Sequence, residues 1–163
     1  MNKPWLIAGA LLLSLSACGD DAAPANQAEE APPTPVAGLY KVNAETTVVQ
    51  PADKGKPRTT AKVGDKQTVD SCVAADGSFD PSLFAEKGDR CTARGTHLSG
   101  GIISLQYDCK RGSEGVTLNV AGEYGKDKFE VLVNSATGFR GDGDYTLTRH
   151  LVAKRVGNCP AKA

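Results

Sequence analysis

The chain has 163 residues, enough for one domain with its own core. Nineteen basic and nineteen acidic side chains cancel, which excludes nucleic-acid binding driven by bulk charge. Eighteen Gly and nine Pro, with only 6% aromatic residues, point to many turns and exclude an architecture of long helices.

Met1-Asn2-Lys3 forms a short positive region, and Trp5 to Leu15 is an apolar run without charge. That run falls short of the roughly 20 residues a membrane-spanning helix needs, and it fits a signal-peptide core. It leads into Leu15-Ser16-Ala17-Cys18, which looks like a bacterial lipobox: an aliphatic residue, two small residues for a narrow peptidase pocket, then Cys. The resemblance implies a signal peptide over 1–17. It also implies a Cys18 thiol carrying a diacylglyceryl group and an acylated Cys18 amine, with palmitate among the acyl chains. At ~0.8 kcal/mol per buried CH₂, several chains make a lasting anchor. The plainer alternative is ordinary cleavage after Ala17, with Cys18 incidental. Residue +2 is Gly19 rather than Asp. By resemblance to enterobacterial sorting rules, this favours the periplasmic face of the outer membrane.

Residues 18–36 read as the lipidated Cys and a spacer. Gly19 to Val36 holds four acids, four Pro and no basic residue, too little apolar surface to order itself. At ~3.1 Å per residue an extended Pro-rich tether reaches roughly 55 Å.

Residues 37–163 carry 18 basic against 15 acidic side chains, an excess too small to name a partner. Gly38 to Val49 alternates, with Tyr40, Val42, Ala44, Thr46 and Val48 on one side, which is a half-buried strand. Gln50 to Gly55 is a loop. Lys56 to Cys72 reads as one or two strands interrupted at Gly64-Asp65. Asp80 to Gly88 reads as one short helix: Asp80 caps, Pro81 takes the first position, Gly88 stops it, and Leu83 and Phe84 tuck onto the sheet.

Cys91 to Cys109 reads as a hairpin around Ser99-Gly100-Gly101. A three-residue turn there sets Cys91 opposite Cys109, within reach of a disulfide. Cys91, Ala93, Gly95 and His97 then form a row of small residues facing Ile103, Leu105 and Tyr107. Val116 to Tyr124 and Phe129 to Val133 form a second hairpin around Gly125-Lys126-Asp127. After the Gly138–Gly143 loop, Asp144 to Val156 is a last strand with Tyr145, Leu147 and Leu151 on one face. The fold class is mainly β: a single antiparallel, meander-like sheet with one short helix, curled as a half-barrel or closed as a small barrel.

Gly38-Leu39-Tyr40-Lys41-Val42, Gln67 through Cys72, Cys91, Leu98-Ser99-Gly100, Cys109 and Arg155-Val156-Gly157-Asn158-Cys159 together resemble a proteobacterial secreted family, the domain of unknown function 3617. The resemblance covers about residues 37–160. Many family members carry Trp where this chain has Tyr40. It implies a fold and an exported compartment, and no catalytic residues.

With Cys18 taken by lipid, four Cys remain, and three pairings are possible. Hairpin geometry favours Cys91–Cys109, and elimination leaves Cys72–Cys159. A metal site on the same thiols lacks any C-x-x-C pair. His97 and His150 have no G-x-S-x-G elbow around Ser99 or Ser104 to serve. His97 reads as a strand residue near a turn, and His150 as part of an Arg149-His150 polar edge. Arg140-Gly141-Asp142 and Asp144 read as turn chemistry, short of the ligand count of a calcium site. Lys54, Lys56, Arg58, Lys62 and Lys66, offset by Asp53 and Asp65, read as a solvated edge that blocks strand pairing; the alternative is contact with anionic envelope groups.

The expected protein is a cell-envelope lipoprotein held to the membrane through Cys18, and not an enzyme. It needs no cofactor and has no nucleic-acid partner. Its role is that of a binding or structural module for an unknown envelope protein or small ligand. The alternative is a carrier of a small apolar ligand, should the sheet enclose a cavity. Nothing in the sequence sets the oligomeric state.

Overall fold

A computed structural model describes residues 31–160. The signal segment, Cys18 and the first part of the spacer lie outside the described residues. Seven strands form one antiparallel sheet: β1 (Gly38–Pro51), β2 (Lys66–Val73), β3 (Asp89–Ser99), β4 (Ile102–Arg111), β5 (Glu114–Tyr124), β6 (Lys128–Gly138) and β7 (Tyr145–Gly157). Their order across the sheet is β2-β1-β7-β6-β5-β4-β3. β3 to β7 are a meander, and the β1–β2 hairpin pairs onto β7. The two outer strands, β2 and β3, do not pair, so the sheet is open and the closed-barrel form does not occur.

Alternation decides which face is inside. Leu105, Tyr107, Val116, Leu118, Val131, Val133, Leu147 and Leu151 are all buried on one face, and their sequence neighbours face solvent. Each such side chain contributes about 1.5–3 kcal/mol by leaving water. Side chains stand roughly perpendicular to a sheet. Arg111 on β4 and Tyr145 on β7 are three strands apart, ~14 Å at ordinary strand spacing, yet they hydrogen-bond at 2.7 Å. The inner face is therefore concave.

The connection from Val73 to Asp89 runs from one outer strand to the other over this concave face. Phe79 and Phe84 are its buried anchors. An aromatic chain crosses the face through them. Tyr40 meets Phe129 at 5.4 Å, Phe129 meets Phe79 at 5.1 Å, Phe79 meets Phe84 at 5.6 Å, and Phe84 meets Tyr107 at 6.1 Å. The expected helix over 80–88 is a single 3-10 turn, Pro81–Leu83, capped by Asp80 through Ser82 N at 2.9 Å. A nine-residue helix has little stability of its own. Here the Phe84 carbonyl is taken by Arg149 and the Glu86 carboxylate by Arg111, and both pull the chain out of helical geometry.

Residues 56–65 form no strand. They lie as a loop whose backbone takes up positions β2 does not reach: Thr46 N donates to Asp65 O at 2.9 Å and Gly64 N to Thr46 O at 2.8 Å. The expected inward row of β1 breaks at a bulge between Thr46 and Val48, so Val48 turns outward at 40% exposure and Val49 packs on the core instead.

The Cys91–Cys109 hairpin also differs in detail. Ser99 pairs with Ile102, so the turn is two residues, Gly100-Gly101, with φ of +58° and +82°. Gly takes both positions without strain, and Gly-Gly is among the pairs such two-residue hairpin turns favour. A bulge at Arg94 then absorbs one residue, and Cys91 faces Cys109. Past the bulge the faces exchange: Leu98 points inward opposite buried Ile103, and His97 lies on the solvent side.

Part of the segment assigned to the spacer packs on the body. Pro35 is buried, Tyr40 donates to Val36 O at 2.8 Å, and Tyr124 donates to Pro33 O at 2.9 Å. Gly77, at φ +82°, leaves the room this segment occupies, since a Cβ there would lie 2.9 Å from Thr34.

Candidate functional site

Two disulfides bound the domain. Cys91 and Cys109 are joined across β3 and β4, with Cα atoms 4.0 Å apart. Cys72 and Cys159 join the end of β2 to the chain end, with Cα atoms 5.7 Å apart. The first is the pair that hairpin geometry favoured, and the second is the one that elimination left. Four cysteines are thereby paired, three of them in strands and Cys159 just past β7.

Both histidines lie on the outer side of the sheet. His97 Nε2 lies 3.1 Å from Ser99 Oγ, but both are exposed on the solvent side of β3. His150 is on the outer face of β7, which lies between β1 and β6 and is not an edge. Its Nε2 meets Glu130 Oε1 at 2.7 Å.

The Gly138–Gly143 loop is held by carboxylates that accept backbone N–H groups. Asp144 accepts from Phe139 N at 2.7 Å, and Asp53 accepts from Gly143 N, Asp144 N and Gly55 N at 2.7, 2.8 and 2.6 Å. These bonds, led by that from Asp144 N, hold the Asp53 carboxyl below its ordinary range. Among the described residues no three of His, Cys, Asp and Glu converge as a metal requires.

Lys54 to Lys62 of the basic stretch lie in a loop, while Lys66 opens the outer strand β2. Lys54, Lys56 and Lys62 are exposed. Arg58 is committed: it is ion-paired to Glu114 and lies over the Phe139 ring at 4.2 Å. Lys66 meets Glu45 at 3.4 Å.

Polar side chains converge where the connection passes β4 and β7. Arg111 donates Nε to Asp89 Oδ1 at 2.7 Å, Nη2 to Asp89 Oδ2 and Glu86 Oε2 at 2.9 Å each, and Nη1 to the Tyr145 hydroxyl. Tyr145 donates in turn to Glu86, and Thr59 donates to Glu86 Oε1 at 2.7 Å. The Asp89 side chain is 1% exposed. Its hydrogen bonds to Asp89 raise the Arg111 pKa above its already high value. Burial pushes Glu86 up, but the bonds from Thr59, Tyr145 and Arg111 outweigh it and hold the carboxyl below its usual range. Burial and the Glu86 bond push the Tyr145 hydroxyl up to about 12.

Beside this cluster a cleft of about 890 Å³ opens between β2, the 60–66 segment and the 80–89 connection. Leu147 and Arg149 of β7 form its floor. Arg149 Nη2 donates to the Phe84 carbonyl, while Nε is buried and has no partner among the described residues. No carboxylate there lies within ion-pair distance of this guanidinium. Burial pulls its pKa down, and the nearby charges of Glu86 and Asp89 oppose that shift. The reading of Arg149 as part of a polar edge is corrected: it lies inward on a central strand, opposite buried Val133 and Thr46. The signal was present in the sequence. Tyr145, Leu147 and Leu151 share a face, and the same parity places Arg149 there.

A second concavity, about 620 Å³ beside Thr47, Ala121, Leu132 and His150, is a shallow depression of the outer face.

Fold and site define a class: an open antiparallel β-domain, crossed on its concave face by one connection and bound by two disulfides, with a polar cleft over a partly buried arginine. The family model described as Protein of unknown function (DUF3617) matches residues 33–159, and the chain belongs to that family. The match begins within the packed segment that Tyr40 and Tyr124 hold. No curated protein and no solved structure matches the chain.

Proposed function

We propose that this chain is a cell-envelope lipoprotein, anchored through acyl groups on Cys18, whose β-domain is a non-enzymatic binding module with its ligand site in the cleft over Arg149. The observation that carries the reading is the cleft itself. It is large enough for a small molecule, ~300–1,000 Å³ being typical, and a partly buried cation in its floor makes no direct ion pair among the described residues. The Leu15–Cys18 stretch and the acidic, Pro-rich segment after it support anchoring at a distance from the membrane.

The carrier reading requires an apolar chamber under the sheet. Phe79 and Phe84 occupy that position against Phe129 and Tyr107, so the support goes to a polar-headed ligand in the cleft. A catalytic reading needs a nucleophile with an aligned base in a cleft, and the His97–Ser99 pair is exposed on the outer side of β3.

The test has two parts. Intact-mass spectrometry of the mature chain is expected to show an acylated N-terminal Cys18, and Cys18→Ser is expected to release the protein from membranes. NMR titration of the full chain with a small-molecule fragment set is expected to place binding at Leu83, Leu147 and Arg149. An unmodified mature N-terminus overturns the anchoring, and fragments that all bind away from the cleft overturn the site.

A further inference from the structure

We propose that the cleft takes a small organic carboxylate, its head group paired with Arg149 and its body lying on Val69, Leu83 and Leu147. This rests on the reading of the cleft as a ligand site and adds the class of ligand.

The argument begins with charge. A guanidinium held mostly away from water is costly unless an anion and hydrogen-bond acceptors replace its hydration. Arg149 receives one acceptor, the Phe84 carbonyl, and leaves Nε without any. The neighbouring acids do not fill the gap. Glu86 is committed to Arg111, Tyr145 and Thr59, and Asp89 to Arg111. Within one network Arg111 is ion-paired to both acids, while Arg149, on the same concave face, feels Glu86 and Asp89 only through space and makes no direct ion pair with either. A bound anion supplies a direct ion pair on the cleft side of the guanidinium, and the closed-off Nε takes no part in it.

The class of anion follows from the rest of the lining. A planar guanidinium matches a carboxylate in shape and charge. Five acidic and three basic side chains line the cleft, so its walls do not favour a multiply charged phosphate, whereas a single negative charge is met by Arg149 alone. Val69, Leu83 and Leu147 supply apolar surface beside the cation, which suits a carboxylate with a short hydrocarbon body. Nε is shut off from solvent, so the head group meets the guanidinium from its cleft side.

The test is NMR-detected titration of the full chain in lipid nanodiscs, following the Arg149 side-chain N–H signals and the Leu83 and Leu147 amides. Three probes are compared: hexanoate, its uncharged isostere hexanamide, and inorganic phosphate. Hexanoate is expected to move all three sets of signals and to bind at least about tenfold tighter than hexanamide, the ratio one charge-assisted hydrogen bond supplies. Arg149→Met is expected to bring hexanoate down to the hexanamide level, and Arg149→Lys to leave part of the preference. The hexanoate–hexanamide ratio is read on the unaltered chain, so it stands even where a variant fails to fold. Equal binding of hexanoate and hexanamide in the cleft overturns the carboxylate proposal and leaves the ligand-site reading intact. Tighter binding of phosphate overturns the class of anion. No movement of any cleft signal with any probe overturns both the proposal and the ligand site.

Discussion

Asp89 and Arg111 are direct partners in the β3–β4 ladder, and their side chains are joined by two hydrogen bonds of 2.7 and 2.9 Å. The pair lies where the crossing connection enters its last strand, so it fixes the end of that connection to the meander. Asp89 is almost wholly buried and Arg111 about a quarter exposed, at 1% and 23%. Removing the cation leaves an unpaired buried carboxylate. Arg111→Met is therefore expected to lower stability by about 3–5 kcal/mol, and Asp89→Leu combined with it to recover part of that loss. Urea unfolding with both disulfides intact measures this. A loss below about 1 kcal/mol would mean that the pair behaves as a surface ion pair.

The same cluster sets a dependence on pH. Glu86 is held below its ordinary carboxyl range in the folded chain. Its ionised form is thus favoured by folding. The stability it contributes is complete above its unfolded value, about 4.3, and is lost as pH falls through the lower folded value. Tyr145 has the opposite sign. Its hydroxyl is pushed up to about 12, so its contribution is complete below the unfolded value of about 10 and is lost as pH rises toward the folded one. Denaturation midpoints measured from about pH 3 to about pH 12 are expected to fall at both ends. Glu86→Gln is expected to flatten the acid limb, and an unchanged acid limb in that variant would assign the acid loss to other carboxylates, such as Asp53.

The core of the meander was legible in the sequence because an antiparallel sheet with one buried face writes a period of two into every strand. Leu105, Leu118, Val131 and Leu147 all follow that period. The misreadings fall where the period is broken by a single extra residue. At Thr47 a bulge exchanges Val48 for Val49, and at Arg94 another exchanges His97 for Leu98. A bulge has no residue signature at either place. The expected three-residue turn at Ser99 and the overlooked bulge at Arg94 are each one residue off in opposite senses, so the Cys91–Cys109 register is the same either way. Arg149 was legible by parity, but its lack of a direct ion pair was not. That depends on where the 80–89 connection places Glu86, a residue whose neighbours carry the signals of a helix.

The Arg94 bulge yields a test of register. Gly95 pairs with Gln106 and Ala93 with Tyr107. Deleting Arg94 therefore leaves every other pair in place and removes only the irregularity. Its side chain interacts only at the surface, with Gln106 at 3.3 Å and Asp108 at 3.9 Å, and such exposed interactions are worth little. The deletion is expected to keep Cys91–Cys109 oxidised and to cost less than about 1 kcal/mol. It is also expected to raise self-association, because a bulge protects an outer strand from pairing with another copy. Thiol titration and sedimentation velocity measure the two effects. Free thiols in the deletion variant would show that the bulge itself holds the register.

The packed segment ahead of β1 gives the last expectation. Tyr124 and Tyr40 donate to the carbonyls of Pro33 and Val36, and both rings are otherwise buried in the core. Burial raises the Tyr40 hydroxyl pKa, so this hydroxyl stays a donor at any ordinary pH. Replacing either Tyr by Phe keeps the ring and removes one bond, at a cost of about 0.5–1.5 kcal/mol. The effect on the segment is local. Hydrogen exchange of the amides around Thr34 and Val36 is expected to quicken in Tyr40→Phe and Tyr124→Phe, while strand amides of β4 to β6 keep their protection. Equal quickening across the sheet would mean that the two hydroxyls support the whole core. No quickening at Thr34 would mean that burial of Pro35 alone holds the segment in place.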